Sequence, residues 1–222
     1  RENDLPVEKV VGISTDKACK PVNVMGMTKA IQERVFLRAN LDCHATRFVC
    51  VRYGNVLASR GSAIPLFHEQ VRSGGPVTVT TREMTRFLLS LDQAVDTVFA
   101  AVSGAKRGET YIPRVHAARV LDIAEAVIGD RAIKVSLTGI RPGEKIHEIL
   151  VSDEEASRTV ERDGYYVIGP MLPELRQAMD KTRVLGGEYS SSSDIMSKEE
   201  AVQMLRRHKL MIEDAPSFDE GT

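Results

Sequence analysis

The 222-residue chain has no tryptophan, aromatic residues make up only 5% of it, and it carries three cysteines. Cys19, Cys43 and Cys50 form no Cys-x-x-Cys pair, and their odd number argues against a disulfide framework. A reducing, cytoplasmic setting is therefore expected. The five histidines (His44, His68, His116, His147, His208) lack metal-ligand spacing, so no metal site is expected. An excess of charge of one sign is missing too. Thirty Lys and Arg stand against 31 Asp and Glu, a net charge of −1, which provides no basic field for nucleic acid. A few well-placed arginines can still hold a small anion. The longest apolar stretches, Ala30 to Leu37 and Ala94 to Val102, fall far short of the roughly 20 residues that cross a bilayer. No membrane segment is expected. The chain opens on Arg1 with no signal peptide behind it, which reads as a sequence cut from something longer.

What is present is an ordinary globular balance, 42% hydrophobic and 27% charged. Val7 to Ser14 is a β-branched run, read as a buried strand. Asn23 is a plausible helix N-cap, and Val24, Met27, Ala30, Ile31, Val35 and Ala39 recur at helical spacing up to Asn40. Thr46 to Val51 is a second strand. Strand, five-turn helix, strand is the rhythm of a parallel sheet with covering helices. Beyond Gly54 the elements shorten. Helices are predicted over Ala63 to Val71, Leu91 to Val102 and Val120 to Ile128, and another from Glu144 to Val151. Strands are predicted at Val77 to Thr80, Thr110 to Pro113, Ile133 to Leu137 and Gly164 to Ile168. Ser190 to Ser193 reads as a loop, and Ser197 with Glu200 as the capping box of a last helix.

Two short segments carry chemistry. Ser14-Thr15-Asp16-Lys17 ends the first strand, where ligands bind in open parallel sheets. A carboxylate beside an amine there suits acid–base work, though spacing alone fits a solvated loop ion pair equally well. Met25-Gly-Met-Thr-Lys29 opens the following helix. This order resembles the extended short-chain dehydrogenases, which carry Tyr-x-x-x-Lys at this helix. Met25 stands where tyrosine is expected, and a thioether cannot move a proton. The substitution fits either an enzyme that has lost its activity or the UDP-N-acetylglucosamine 4,6-dehydratases with methionine at this place. Arg52 to Ser62, Ile64 to Phe67, Met84-Thr-Arg-Phe87 and Arg141-Pro-Gly-Glu-Lys145 are similar to further signatures of the dehydratases.

The resemblance implies an α/β fold: a Rossmann-like doubly wound parallel sheet with a smaller substrate-binding lobe. Residues 1–58 would belong to the dinucleotide-binding domain and 59–222 mainly to the lobe, with 88–113 partly returning to the first. Thr15, Asp16, Lys17 and Lys29, with Met25 in place of tyrosine, would form the catalytic set, and Asp16 and Lys17 would carry the proton work. Ser14, Lys29, Tyr53 and Gly54 would lie along a tightly bound NADP or NAD. Asn55, Arg60, Arg86, Arg141 and Glu144 would hold a UDP-sugar, the arginines on its diphosphate and Glu144 on its ribose. For Arg60 a plain surface role is as good a reading. Glu144 otherwise reads as a charge favoured at a helix N-terminus. Tyr165 and Tyr166 read as strand packing. No Gly-x-Gly-x-x-Gly or Gly-x-x-Gly-x-x-Gly occurs, so these residues alone are expected to hold a dinucleotide poorly and to be inactive. The activity implied is removal of water from UDP-N-acetylglucosamine for capsule or O-antigen synthesis. The serine-rich Glu188 to Asp194 stretch looks closer to the branch that inverts C5. The rivals are an epimerase on the same scaffold and a non-catalytic UDP-sugar-binding remnant. A homo-oligomer through the Asn23 to Asn40 helix is also expected from the resemblance.

Overall fold

The computed structural model describes residues 6–176, 184–214 and 218. In chain order the elements are β1 (Lys9–Thr15), α1 (Val24–Asp42), β2 (Arg47–Tyr53), β3 (Asn55–Val56), α2 (Ala63–Arg72), β4 (Val77–Val79), β5 (Thr85–Leu89), α3 (Leu91–Gly104) and β6 (Thr110–Pro113). There follow β7 (Ala117–Arg119), α4 (Val120–Ile128), β8 (Val135–Leu137), β9 (Ile149–Val151), α5 (Asp153–Ala156), β10 (Thr159–Arg162), β11 (Tyr165–Ile168), β12 (Tyr189–Ser190) and α6 (Lys198–Arg207).

The contacts divide the chain into two compact units. The first holds Arg1–Tyr53, Asp92–Arg114 and Ile149–Tyr189. Its five-stranded sheet runs β1-β2-β6-β11-β10. β1, β2 and β6 are parallel, and β11 and β10 add antiparallel strands. β1 and β2 pair over their whole length, from Lys9 opposite Arg47 to Thr15 opposite Tyr53. Two parallel strands in this register need a crossover, and α1 supplies it. Asn23 caps α1 by accepting the Gly26 N–H at 2.8 Å. Asn40, buried near its end, exchanges hydrogen bonds with both backbone groups of Phe48 on β2. Val49, Val51, Ala101, Ala105, Tyr111 and Val167 form this unit's apolar centre.

The second unit holds Gly54–Leu91, Val115–Glu148 and Ser190–Thr222. It contains a sheet of order β3-β5-β7 and a parallel pair, β4 with β8. Its core is larger: Phe67, Val77, Val79, Val127 and Leu205 are almost wholly buried between α2, α4, α6 and the strands. Ser197 and Glu200 form the expected capping box of α6.

The parallel β1-α1-β2 arrangement is the Rossmann-like α/β fold the sequence implies. One local expectation fails. The helix expected over Glu144 to Val151 is absent. Gly143 takes a φ of +83° and the Glu144 N–H donates to Arg141 O, closing a turn, after which the β-branched Ile149–Val151 segment is a strand. The apolar stripe on α1 does not face the sheet, because Val24, Ile31 and Val35 are 75%, 62% and 59% exposed. The buried positions are instead Gly26, Glu33, Leu37 and Asn40.

Candidate active site

The catalytic candidates of the first unit sit on the turn that leaves β1. Thr15 is the N-cap of a single 3₁₀ turn, Asp16–Ala18, accepting the Lys17 N–H through its hydroxyl. Cys19 N–H closes the turn on Asp16 O at 3.1 Å. Asp16 is 0% exposed. Its Oδ1 accepts from Thr15 Oγ1 at 2.8 Å and from Lys17 Nζ at 3.0 Å. Its Oδ2 is buried with no hydrogen-bond partner among the described residues. A buried carboxylate oxygen left unbonded costs about 1–3 kcal/mol or more, which a ligand hydroxyl or water would recover. Lys17 is half-buried beside it. The carboxylate of the pair is buried and its ammonium partner is partly exposed.

The helix that follows is fitted against this turn. A Cβ on Gly26 would lie 2.3 Å from Lys17 O, so only glycine lets α1 begin where it does. Met25 is half exposed at the start of the helix. Lys29, one turn on, donates to Ile13 O at 2.9 Å and to Gln32 Oε1 at 3.1 Å. That leaves one ammonium N–H for a ribose hydroxyl, so the side chain fits a nicotinamide nucleoside. Tyr53 ends β2 opposite Thr15, and burial raises its phenol above the usual range, keeping it protonated.

Behind the turn lies a buried ionic cluster that the motifs did not reveal. Arg52 binds Glu33 through Nε (3.0 Å) and Nη2 (2.6 Å). It binds Glu155 through Nη1 (2.9 Å) and Nη2 (3.1 Å) and donates to Leu150 O at 2.8 Å. Burial opposes the charge on both partners, yet the facing charges prevail. The Arg52 guanidinium is held well above its usual value by Glu33 and Glu155. The Glu155 carboxyl is held down at about 2 by Arg52, the Ser152 backbone and Arg158. One signal of this cluster was visible in the sequence: a lone charge, Arg52, at the end of the buried run Val49-Cys-Val51.

The substrate candidates occupy the second unit. Arg86 on β5 donates through Nη1 to Thr85 O (2.7 Å) and Ile146 O (3.1 Å), with Glu148 Oε1 4.0 Å from its Nε. Lys145 lies 3.7 Å from the other Glu148 oxygen. Two cations thus flank one buried carboxylate. Thr85 is itself fixed by His147 Nδ1 (2.8 Å) and Ser191 Oγ (2.7 Å). Arg141 is exposed, and its N–H donates to Glu144 Oε2 at 3.3 Å, so Glu144 braces a turn rather than starting a helix. Asn55, on β3 beside Gly54, keeps a buried Oδ1 without a partner among the described residues. Arg60 is exposed on the loop before α2. The structure groups Ser14, Thr15, Asp16, Lys17, Met25, Lys29 and Tyr53 on one unit and Gly54, Asn55, Arg60, Arg86, Arg141 and Glu144 on the other.

A family model described as "Polysaccharide biosynthesis protein" matches residues 3–170. The chain belongs to that family. A UDP-N-acetylglucosamine 4,6-dehydratase (inverting) of Campylobacter jejuni is 38% identical over 169 residues, covering 75% of this chain and 50% of that protein. A protein named UDP-glucose 4-epimerase, from Rickettsia akari, is 40% identical over 167 residues, covering 73% of this chain and 49% of its own length. The chain therefore spans about half the length of these curated relatives. Among solved structures, Pen from Bacillus thuringiensis superposes with a TM-score of 0.83 at 33% identity, over 93% of this chain and 63% of that one.

Proposed function

We propose that the full-length protein is a nucleotide-sugar 4,6-dehydratase acting on UDP-N-acetylglucosamine, with this chain supplying its proton-transfer and sugar-nucleotide-binding residues. The observation that carries the proposal is the sequestered Asp16, bonded to Thr15 and Lys17 and with one oxygen unpartnered. Lys29 and Tyr53 would hold an NADP or NAD, which would supply the redox chemistry between sugar C4 and C6. Thr15 receives the C4 hydroxyl proton and passes it along its 2.8 Å bond to Asp16. The resulting 4-ketone acidifies C5, and Lys17 removes the C5 proton as a free amine. Asp16 then gives its proton to the C6 hydroxyl, which leaves as water. Lys17 releases that proton to solvent, and a solvent proton reaches C5 from the opposite face as the double bond is reduced. Each proton is accounted for, and Met25, with no proton to give or take, has no part in the transfers. Lys29 would bond the ribose of the dinucleotide, with Ser14, Tyr53 and Gly54 as its other candidate contacts. Arg86 and Arg141, with Asn55 and Arg60, bind the diphosphate end of the substrate, and Glu144 its ribose. The retaining and inverting outcomes differ in the face of C5 that receives the proton, and the proposal is the inverting one.

The assignment extends to setting and assembly. Three free cysteines suit the reducing cytoplasm. No helix among the described residues is long and apolar enough to cross a membrane. The exposed Val24, Ile31 and Val35 of α1 are proposed to pack on a second copy, and the product to enter capsule or O-antigen synthesis. Without the dinucleotide-binding turn, the chain by itself is proposed to be inactive.

The test uses the full-length protein with UDP-N-acetylglucosamine. A product lighter by one water supports dehydration, and unchanged mass supports the epimerase reading that the Rickettsia relative's name suggests. Lys17→Ala and Asp16→Asn are each expected to lose at least about a hundredfold in kcat. Unchanged turnover in both variants removes the proposal.

A further inference from the structure

We propose that Arg52, Glu33 and Glu155 form a buried staple that sets the position of the proton-transfer turn, so that Arg52 is a positioning residue for the chemistry. The inference rests on the reading of Asp16 and Lys17 given above. It starts from the two residues that bracket the turn. Ser14, just before Thr15, donates its hydroxyl to Glu33 Oε1 at 2.5 Å. Cys19, just after Ala18, lies with its Sγ 3.8 Å from Glu155 Oε2. Glu33 and Glu155 are the two carboxylates that the Arg52 guanidinium joins. Both shoulders of the turn are therefore tied to opposite ends of one planar bridge, although Glu33 comes from α1 and Glu155 from α5.

The cluster carries more geometry than stability requires. Arg158, 3.9 Å from Glu155, brings it to two cations and two anions. The Arg52 side chain is 3% exposed and the carboxylates 9% and 11%. Burying such charges costs desolvation that their attraction only offsets, and apolar residues of similar volume often serve as well or better for stability. What apolar packing cannot reproduce is direction. A guanidinium fixes both carboxylates in the plane of its own fork, and these carboxylates in turn fix Ser14 Oγ and the Cys19 side. α5 contributes a rigid anchor, because Ser152 and Glu155 form a reciprocal capping box. Proton transfer is sensitive to this placement, since misplacing a reacting group by 1 Å costs about a hundredfold in rate.

The variants that test this are Ser14→Ala and Cys19→Ala, which cut the two tethers and leave the buried ion pairs whole. In the full-length protein each is expected to lower kcat about tenfold, and the double variant about a hundredfold, with KM for the sugar nucleotide unchanged. Cys19→Ser keeps a donor toward Glu155 and is expected to restore kcat to within about threefold. Hydrogen exchange of the Lys17 and Cys19 amides, bonded to Thr15 Oγ1 and Asp16 O, is expected to quicken in both alanine variants while the amides of β2 stay protected. Unchanged kcat and unchanged amide exchange in the alanine variants, or a loss that Cys19→Ser fails to recover, overturns the staple as a positioning device. Lys17→Ala, measured in parallel, reports on the proton-transfer reading itself: if it keeps full turnover that reading falls, while amide exchange still decides whether the tethers hold the turn.

Discussion

Replacing Gly26 by alanine adds one methyl group where there is no room for it. The new Cβ would stand 2.3 Å from the Lys17 carbonyl oxygen and 3.2 Å from Pro21 Cβ, whereas ordinary contact begins near 3.4 Å. The obstruction is backbone, so no side chain can swing away. The turn and the first turn of α1 must separate by about 1 Å. Alanine gains about 1 kcal/mol over glycine in helix propensity, and strain of about 1–3 kcal/mol opposes it, so the fold should survive with a melting temperature within a few degrees of the parent. The effect falls on Lys17. A displacement of that size is worth about a hundredfold in kcat, with substrate affinity preserved, because the diphosphate candidates lie on the other unit. Steady-state kinetics and a thermal melt of full-length Gly26→Ala test both halves. Wild-type kcat in the variant would refute the claim that the fit of α1 against the turn positions the amine.

Three other outcomes follow from the geometry. Because Glu155 is held at about 2 against an ordinary 4.5, its contribution is complete above pH 4.5 and is lost as pH falls toward 2. The 2-to-4.5 gap is worth roughly 3 kcal/mol, so acid titration of stability should be visibly shallower in Glu155→Gln, and equal slopes would contradict the pairing. Burial, with Glu33 nearby, pushes the Cys50 thiol up to about 12. In the native protein, alkylation at about pH 8 should therefore label Cys43, leave buried Cys19 and Cys50 untouched, and reach all three after denaturation. Arg86→Lys keeps the charge but loses the planar fork, and should weaken UDP binding about tenfold by calorimetry.

Local signals in the sequence were strong where a single side chain settles a backbone fate. Asn23 and the Ser197–Glu200 pair mark helix starts because their caps act within three residues. The β-branched runs of β1, β2 and β11 were legible for the same reason. The strand at Ile149–Val151 was not, since Glu144-Lys145 looks helical and only the φ of Gly143 diverts the chain. Asp16 and Lys17 were legible as a motif, but the burial of Asp16 depends on packing that no spacing encodes. The Arg52 cluster was hidden most deeply. Its partners lie 19 and 103 residues away, and a buried glutamate on α1 looks in sequence like any surface helix charge. The stripe of Val24, Ile31 and Val35 was legible as helical spacing, but that it is exposed could not be read from spacing alone.

The most direct test of the proton route is turnover of UDP-N-acetylglucosamine by the full-length protein in heavy water. The account predicts that the parent protein yields a product one water lighter with deuterium at C5, and that Lys17→Ala neither releases water nor exchanges the C5 hydrogen. Deuterium entering C5 at the parental rate in Lys17→Ala would contradict it.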